Sequence, residues 1–202
     1  MKSIILVFLI LNGFINMKAS DKIDSMKEEL ITLGSGCFWC AEAIYESVKG
    51  VNSVVSGYSG GTIAGPSYKE VTTGSTGHAE VVQIAYNPDI ISFEELLLIF
   101  FKTHDPTTLN RQGADIGTQY RSVIFYHSED QKQKADALIK SLEEQHIYEN
   151  PIVTIVKKYD HFYMAEEHHQ GYFAKNPYQG YCNAVIQPKL NKFMKDFSKS
   201  LK

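Results

Sequence analysis

An α+β fold, with helices packed on a mixed β-sheet, is predicted by three observations. Short apolar runs with strand character are interspersed with patterns of period three to four, the mark of an amphipathic helix. The helical patterns fall between strands without a strict βαβα rhythm. The composition is 44% hydrophobic and 21% charged over 202 residues, enough chain for one domain with a real core.

Taken in order, residues 20–27 are polar and read as a linker, and residues 28–188 as one domain. Glu28 to Leu33 has strand character and Gly34-Ser35-Gly36 is a turn. From Cys37, apolar residues Phe38, Ala41, Ile44, Tyr45 and Val48 recur at helical spacing until Gly50 stops them. Val51 to Tyr58 is a second strand, followed by a glycine-rich loop from Gly60 to Pro66. His78 to Tyr86 is a third strand, closed by Asn87-Pro88-Asp89. Ser92-x-x-Glu95 is a capping box, with Ile91 able to staple to Leu96, and opens a helix to about Lys102. Residues 104–119 form a long polar loop of the kind that usually carries function. Arg121 to His127 is a strand, Ser128 caps a helix with Ala135, Leu138, Ile139 and Leu142 on its apolar face, and Pro151 to Lys157 is a further strand. A helix is predicted over Ala165 to Lys175, ended by Asn176-Pro177. Residues 189–202 form a basic amphipathic helix with Leu190, Phe193, Met194, Phe197 and Leu201 on one face.

This composition excludes a disordered chain, a fibrous repeat and a polytopic membrane protein. A net charge of −3 gives no sign of a nucleic-acid partner. Residues 1–19, with Lys2 ahead of an apolar run from Ile4 to Leu11, read as a secretory signal cleaved after Ala19, or as a retained anchor. Export to a periplasmic or extracellular site follows, with no stable membrane partner unless that segment is kept. The cysteines are the informative oddity. There are three, Cys37, Cys40 and Cys182, too few for a disulfide scaffold.

Cys37 follows a glycine turn and opens a helix, where free N–H groups and the helix dipole favour a thiolate. A buried core thiol is the plain alternative. The Cys37-x-x-Cys40 spacing also fits a thioredoxin-like redox pair, or half of a zinc site completed by His168 or His169. Glu80 leads into an apolar strand, where desolvation would raise its pKa and let it act as a general acid. Read singly, Glu80 would be an ordinary surface residue and Tyr68 a core or rim residue. Around Asp115, Gly117 and Tyr120, a glycine turns the backbone between polar side chains, and the only two arginines, Arg111 and Arg121, bracket that stretch.

Together these pieces match a family. Gly36-Cys37-Phe38-Trp39, Gly57-Tyr58-Ser59-Gly60-Gly61, Pro66-Ser67-Tyr68-Lys69-Glu70-Val71 and Thr76-Gly77-His78-Ala79-Glu80-Val81-Val82 occur in order. His104-Asp105-Pro106-Thr107, Arg111 to Ser122, Phe162 to Glu166, His169-Gln170 and Gly180-Tyr181-Cys182 follow. From about Thr32 to Lys189 the sequence closely resembles the peptide methionine sulfoxide reductases of type A. The resemblance implies a two-layer, ferredoxin-like sandwich with long catalytic loops, in a monomer. It implies reduction of the S epimer of methionine sulfoxide, free or in oxidised proteins, to methionine. Cys37 would be the nucleophile and Glu80 the principal acid, with Tyr68 and Tyr120 as further donors. Phe38 and Trp39 would wall the slot for the S-methyl group, Asp115 would orient the substrate, and His169 would sit at the rim. Cys182 holds the family's recycling position, so that a Cys37–Cys182 disulfide would be reduced by thioredoxin or a thioredoxin-like protein, or by dithiothreitol in vitro. No cofactor or metal is implied.

Cys40 departs from the family, which usually has glycine there. It reads as a bystander, as an alternative resolving thiol, or as a modulator of Cys37 that shuttles the disulfide. A bond between cysteines three apart on a regular helix start would need backbone adjustment.

Overall fold

The computed structural model describes residues 27–202, so the expected signal segment and most of the linker lie outside it. Among the described residues no helix is long and apolar enough to cross a membrane.

The chain builds a six-stranded sheet of order β7-β6-β1-β3-β2-β8. Its strands are β1 (Glu29–Ser35), β2 (Val51–Ser59), β3 (Ala79–Tyr86), β6 (Ser122–Tyr126), β7 (Ile155–Lys158) and β8 (Phe162–Met164). The helices α1 (Phe38–Glu46) and α3 (Phe93–Thr103) connect β1 to β2 and β3 to β6. The four central strands, in spatial order β6-β1-β3-β2, pair antiparallel throughout, which is the ferredoxin-like split βαβ arrangement. β7 is added parallel to β6, and β8 antiparallel to β2. Ser67 and Ser92 both head capping boxes, on the short α2 (Tyr68–Thr72) and on α3. A small hairpin, β4 (Arg111–Gln112) with β5 (Asp115–Ile116), interrupts the long loop. The remaining helices are α4 (Glu129–Glu144), α5 (Tyr172–Lys175) and α6 (Gln187–Asp196).

Strand alternation sets what each face carries. On β3, Val82, Ile84 and Tyr86 join Ile31, Leu33, Ile44 and Leu96 in the main core under the helices. Ala79 and Val81 point the other way, into a smaller cluster with Val123 and Phe125. Glu80 belongs by parity with Val82 and Ile84, so the fold carries its carboxyl into the main core.

Four expectations need correction. The first strand runs on through Gly34 and Ser35, which pair with Val123 and Ser122 of β6, so the turn is left to Gly36 alone. No single helix spans 165–175: the segment is a 3₁₀ turn at Glu167–His169 and the short α5, parted by Gly171 at φ +60°. Tertiary bonds win over helix propensity there. The Gln170 amide donates to the carbonyls of Ser56 and Ala165, and Glu42 accepts from the Gly171 and Tyr172 N–H groups at 3.0 and 3.3 Å. The strand predicted from Pro151 begins at Ile155, because Val153 donates to the Pro106 carbonyl instead of to a neighbouring strand. The terminal helix starts at Gln187 and ends at Asp196, with Leu190 and Phe193 buried, Met194 exposed and Leu201 beyond it bridging Val48.

β8 lies tight against β2 at Gly57. A Cβ there would fall 2.5 Å from the Tyr163 carbonyl and closer still to the Phe162 ring. Gly57→Ala is therefore expected to lower stability by about 1–3 kcal/mol, the usual cost of overpacking. Urea unfolding with an unchanged midpoint would show that β8 is not held as described.

Candidate active site

Cys37 is the residue just ahead of α1, with φ −56° and ψ 124°, and its side chain caps nothing. The next N–H, that of Phe38, donates to Glu80 Oε2 at 3.1 Å. A helix start and a strand carboxyl are thereby joined beside the thiol. Glu80 is 1% exposed and faces Tyr58 across the β2–β3 ladder. Burial pushes its carboxyl up to about 8, with the charges of Asp115 and Cys40 adding and the Phe38 N–H pulling down. At neutral pH it holds a proton, as its strand context predicts.

Tyr68 opens α2, and its N–H is fixed by Glu166 at 2.8 Å. Tyr120 closes the 3₁₀ turn Thr118–Tyr120. Burial pushes Tyr68 up to about 12, with the Glu80 and Cys37 charges adding, and moves Tyr120 up with Glu80 the foremost charge. Both phenols therefore stay protonated and answer to the same carboxyl and thiol. Asp115, on β5, accepts from the Tyr181 hydroxyl at 2.7 Å.

The aromatic wall is continuous. Trp39 stacks on Tyr172 at 3.6 Å and on His169 at 5.5 Å, and Phe38 lies 5.4 Å from His169, 5.9 Å from Tyr58 and 6.3 Å from Tyr68. His169 is 3% exposed, so it belongs inside this wall and not at its rim. Neither ring nitrogen of His169, nor Trp39 Nε1, has a hydrogen-bond partner. Buried donors and acceptors left free in an apolar wall are costly unless something binds them.

The thiols do not behave as the helix dipole alone predicts. Cys37 is raised well above the ordinary thiol value by its hydrogen bond to Cys40, by burial and by Glu80, which together outweigh the Trp39 N–H that pulls it down. Cys40 is pulled down to about 7, chiefly by a hydrogen bond from the Cys37 thiol, with Lys189 and the Tyr181 hydroxyl helping against burial. The two thiols interact closely enough that their titrations are linked. Cys182 is fully buried at the head of a π-helical turn, Cys182–Ile186, that runs into α6.

The fold thus gathers Cys37, Phe38, Trp39, Tyr68, Glu80, Asp115, Tyr120 and His169 around one apolar, proton-bearing centre. Tyr58, Glu166 and Tyr181 were not read as functional in the sequence. Glu166 holds both the Tyr68 N–H and the Tyr58 hydroxyl, each at 2.8 Å. They lie within the matched motifs, but no residue pattern marks their roles, and their partners lie far off in the chain. Among the described residues no cluster of three or more His, Cys, Asp or Glu could hold a metal ion.

Known proteins share this sequence and fold. The family model "Peptide methionine sulfoxide reductase" matches residues 29–201. The chain is 54% identical over 175 residues to peptide methionine sulfoxide reductase MsrA 1 of Rhodopirellula baltica, covering 87% of this chain and 90% of that one. It is 52% identical over 174 residues to the MsrA of Saccharolobus solfataricus, covering 86% and 97%. Among solved structures, reduced Mxr1 from Saccharomyces cerevisiae superposes with a TM-score of 0.71 at 39% identity, covering 77% of this chain and 90% of that one. Methionine sulfoxide reductase A of Corynebacterium diphtheriae does so with 0.65 at 34% identity, covering 75% and 76%. In sequence and fold alike, this chain belongs to the peptide methionine sulfoxide reductase family, among its A-type members.

Proposed function

We propose that this protein reduces the S epimer of methionine sulfoxide, free or in oxidised proteins, to methionine. The carrying observation is a buried carboxyl, its pKa raised by that burial, that accepts from the N–H of the residue after a buried thiol inside an aromatic wall. A sulfoxide oxygen is a poor leaving group until it gains a proton. Glu80 is its principal donor, and Tyr68 and Tyr120 are the neighbouring phenols that hold the same oxygen. Phe38 and Trp39 receive the S-methyl group, where sulfur–aromatic contact is worth about 0.3–1.5 kcal/mol. The free nitrogens of Trp39 and His169 offer hydrogen bonds to the substrate's polar groups. Asp115 orients the bound residue.

Cys37 Sγ attacks the sulfoxide sulfur, the protonated oxygen passes from that sulfur to Cys37 Sγ to leave a sulfenic acid, and the thioether departs as methionine. A second thiol condenses with the sulfenic acid, water leaves, and a disulfide remains. Cys182 takes part in that disulfide, and a thioredoxin-like dithiol protein reduces it.

Supplied with dithiothreitol and the separated epimers of an aryl methyl sulfoxide, the protein is expected to consume the S epimer and leave the R epimer. Equal consumption of both would sink this reading. The apolar run after Lys2 supports export through residues 1–19. Cell fractionation that finds the chain solely with cytosolic markers would refute export.

A further inference from the structure

Helix α1 meets the segment 170–172 with two side chains three residues apart, Trp39 and Glu42, which share one face of the helix. Trp39 stacks flat on the Tyr172 ring, at 3.6 Å and 6°. Glu42 takes the backbone at the same place. Its Oε1 accepts from the Gly171 N–H at 3.0 Å and its Oε2 from the Tyr172 N–H at 3.3 Å. Tyr172 is thereby gripped twice from α1, by its ring and by its backbone. Gly171 permits the grip: at φ +60° it takes the left-handed conformation that glycine adopts without strain.

Glu42 is 2% exposed, and its two partners are neutral N–H groups rather than a cation. Burial, with the Glu46 charge adding, pushes its carboxyl above the ordinary carboxylate value, against the pull of those N–H groups. A carboxyl kept in a core against such a penalty is expected where a site needs it. The reaction above gives it no work, yet it stands one turn from Trp39. Resting on Phe38 and Trp39 as the slot for the S-methyl group, we propose that Glu42 is a positioning residue for substrate binding. It clamps Tyr172 against the indole and so holds the slot in its binding shape. Its bonds go to the wall, not to Cys37 or Glu80, so its loss should weaken binding and spare the chemical step.

Trp39 is the only tryptophan of the chain, so its emission reports on the stack directly. Glu42→Gln keeps the side-chain length but sets an amide N–H group against one of the two backbone N–H groups. The half-saturating concentration of the S epimer of an aryl methyl sulfoxide is expected to rise about tenfold, the scale of one hydrogen bond to a charged group, with the maximal single-turnover rate within about threefold of wild type. Trp39 emission should shift to the red as water reaches the indole. Tyr172→Ala should reproduce both changes, and Glu42→Gln added to it should bring no further loss, because Glu42 acts through Tyr172. An unchanged half-saturation in Glu42→Gln overturns the clamp, as does an effect of Glu42→Gln that persists in full in the Tyr172→Ala background. If Glu42→Gln does not fold, Tyr172→Ala decides alone: half-saturation and emission both at wild-type values overturn the clamp, and both moved support it. A wild type that does not consume the S epimer would instead remove the methyl slot itself, a separate failure.

Discussion

Replacing Cys37 by serine is expected to abolish methyl sulfoxide reduction while leaving the chain folded. Loss of a covalent nucleophile costs on the order of 10⁴-fold or more in turnover, and no second thiol shares the Cys37 position at the tip of α1. The same change should not lower stability. Cys37 sits at a helix N-cap and makes no side-chain cap bond, whereas a serine hydroxyl there can accept from the Trp39 N–H, since those of Phe38 and Cys40 already donate to Glu80 and to the Cys37 carbonyl. Thermal unfolding of Cys37→Ser at or above the wild-type temperature, with activity at background, is the expected pair of results. Activity within tenfold of wild type would reject the nucleophile.

The second large effect is that of Glu80→Gln. Glutamine keeps the shape and can still accept from the Phe38 N–H, but it has no acidic proton to give. The single-turnover rate is expected to fall about 10²–10⁴-fold, the range for a lost general acid, with substrate binding less affected. The pH dependence carries the sign. Wild-type reduction should fall as pH rises through about 8, where Glu80 loses its proton, and this limb should vanish in the variant. Stability follows the same titration. A carboxyl raised from 4.5 to about 8 on folding imposes no penalty below 4.5, and its cost grows as pH rises from 4.5 to about 8. Glu80→Gln should therefore gain stability relative to wild type between those limits. A single-turnover rate unchanged by the substitution would discard Glu80 as the acid.

The elements that could be read in advance are those whose signals are local. The capping box at Ser92 and the strand ending at Tyr86 yield the observed structure, whereas of the predicted turn only Gly36 is one. Ser67-x-x-Glu70 is the same capping signal and marks α2, yet it lies inside a glycine-rich stretch that reads as loop. The segment 165–175 could not be read, because distant partners decide it: Glu42, on α1, and Ser56, on β2. The site divides in the same way. Cys37, Glu80 and Tyr68 carry recognisable motifs. The tie of Tyr181 to Asp115 spans 66 residues and leaves no mark in either stretch. The raised Cys37 thiol was likewise illegible, since it depends on which side chains fold back over the helix tip.

The π-helical turn has a further consequence, for the newborn chain. Cys182 is made about 145 residues after Cys37, on the order of ten seconds at ordinary elongation rates. Until that last stretch docks on α1, Cys37 lacks the thiol of Cys182, and Trp39 lacks its Tyr172 cover. A ribosome-bound chain exposed to oxidant in that interval would be a consumer of protection before it becomes a source of it.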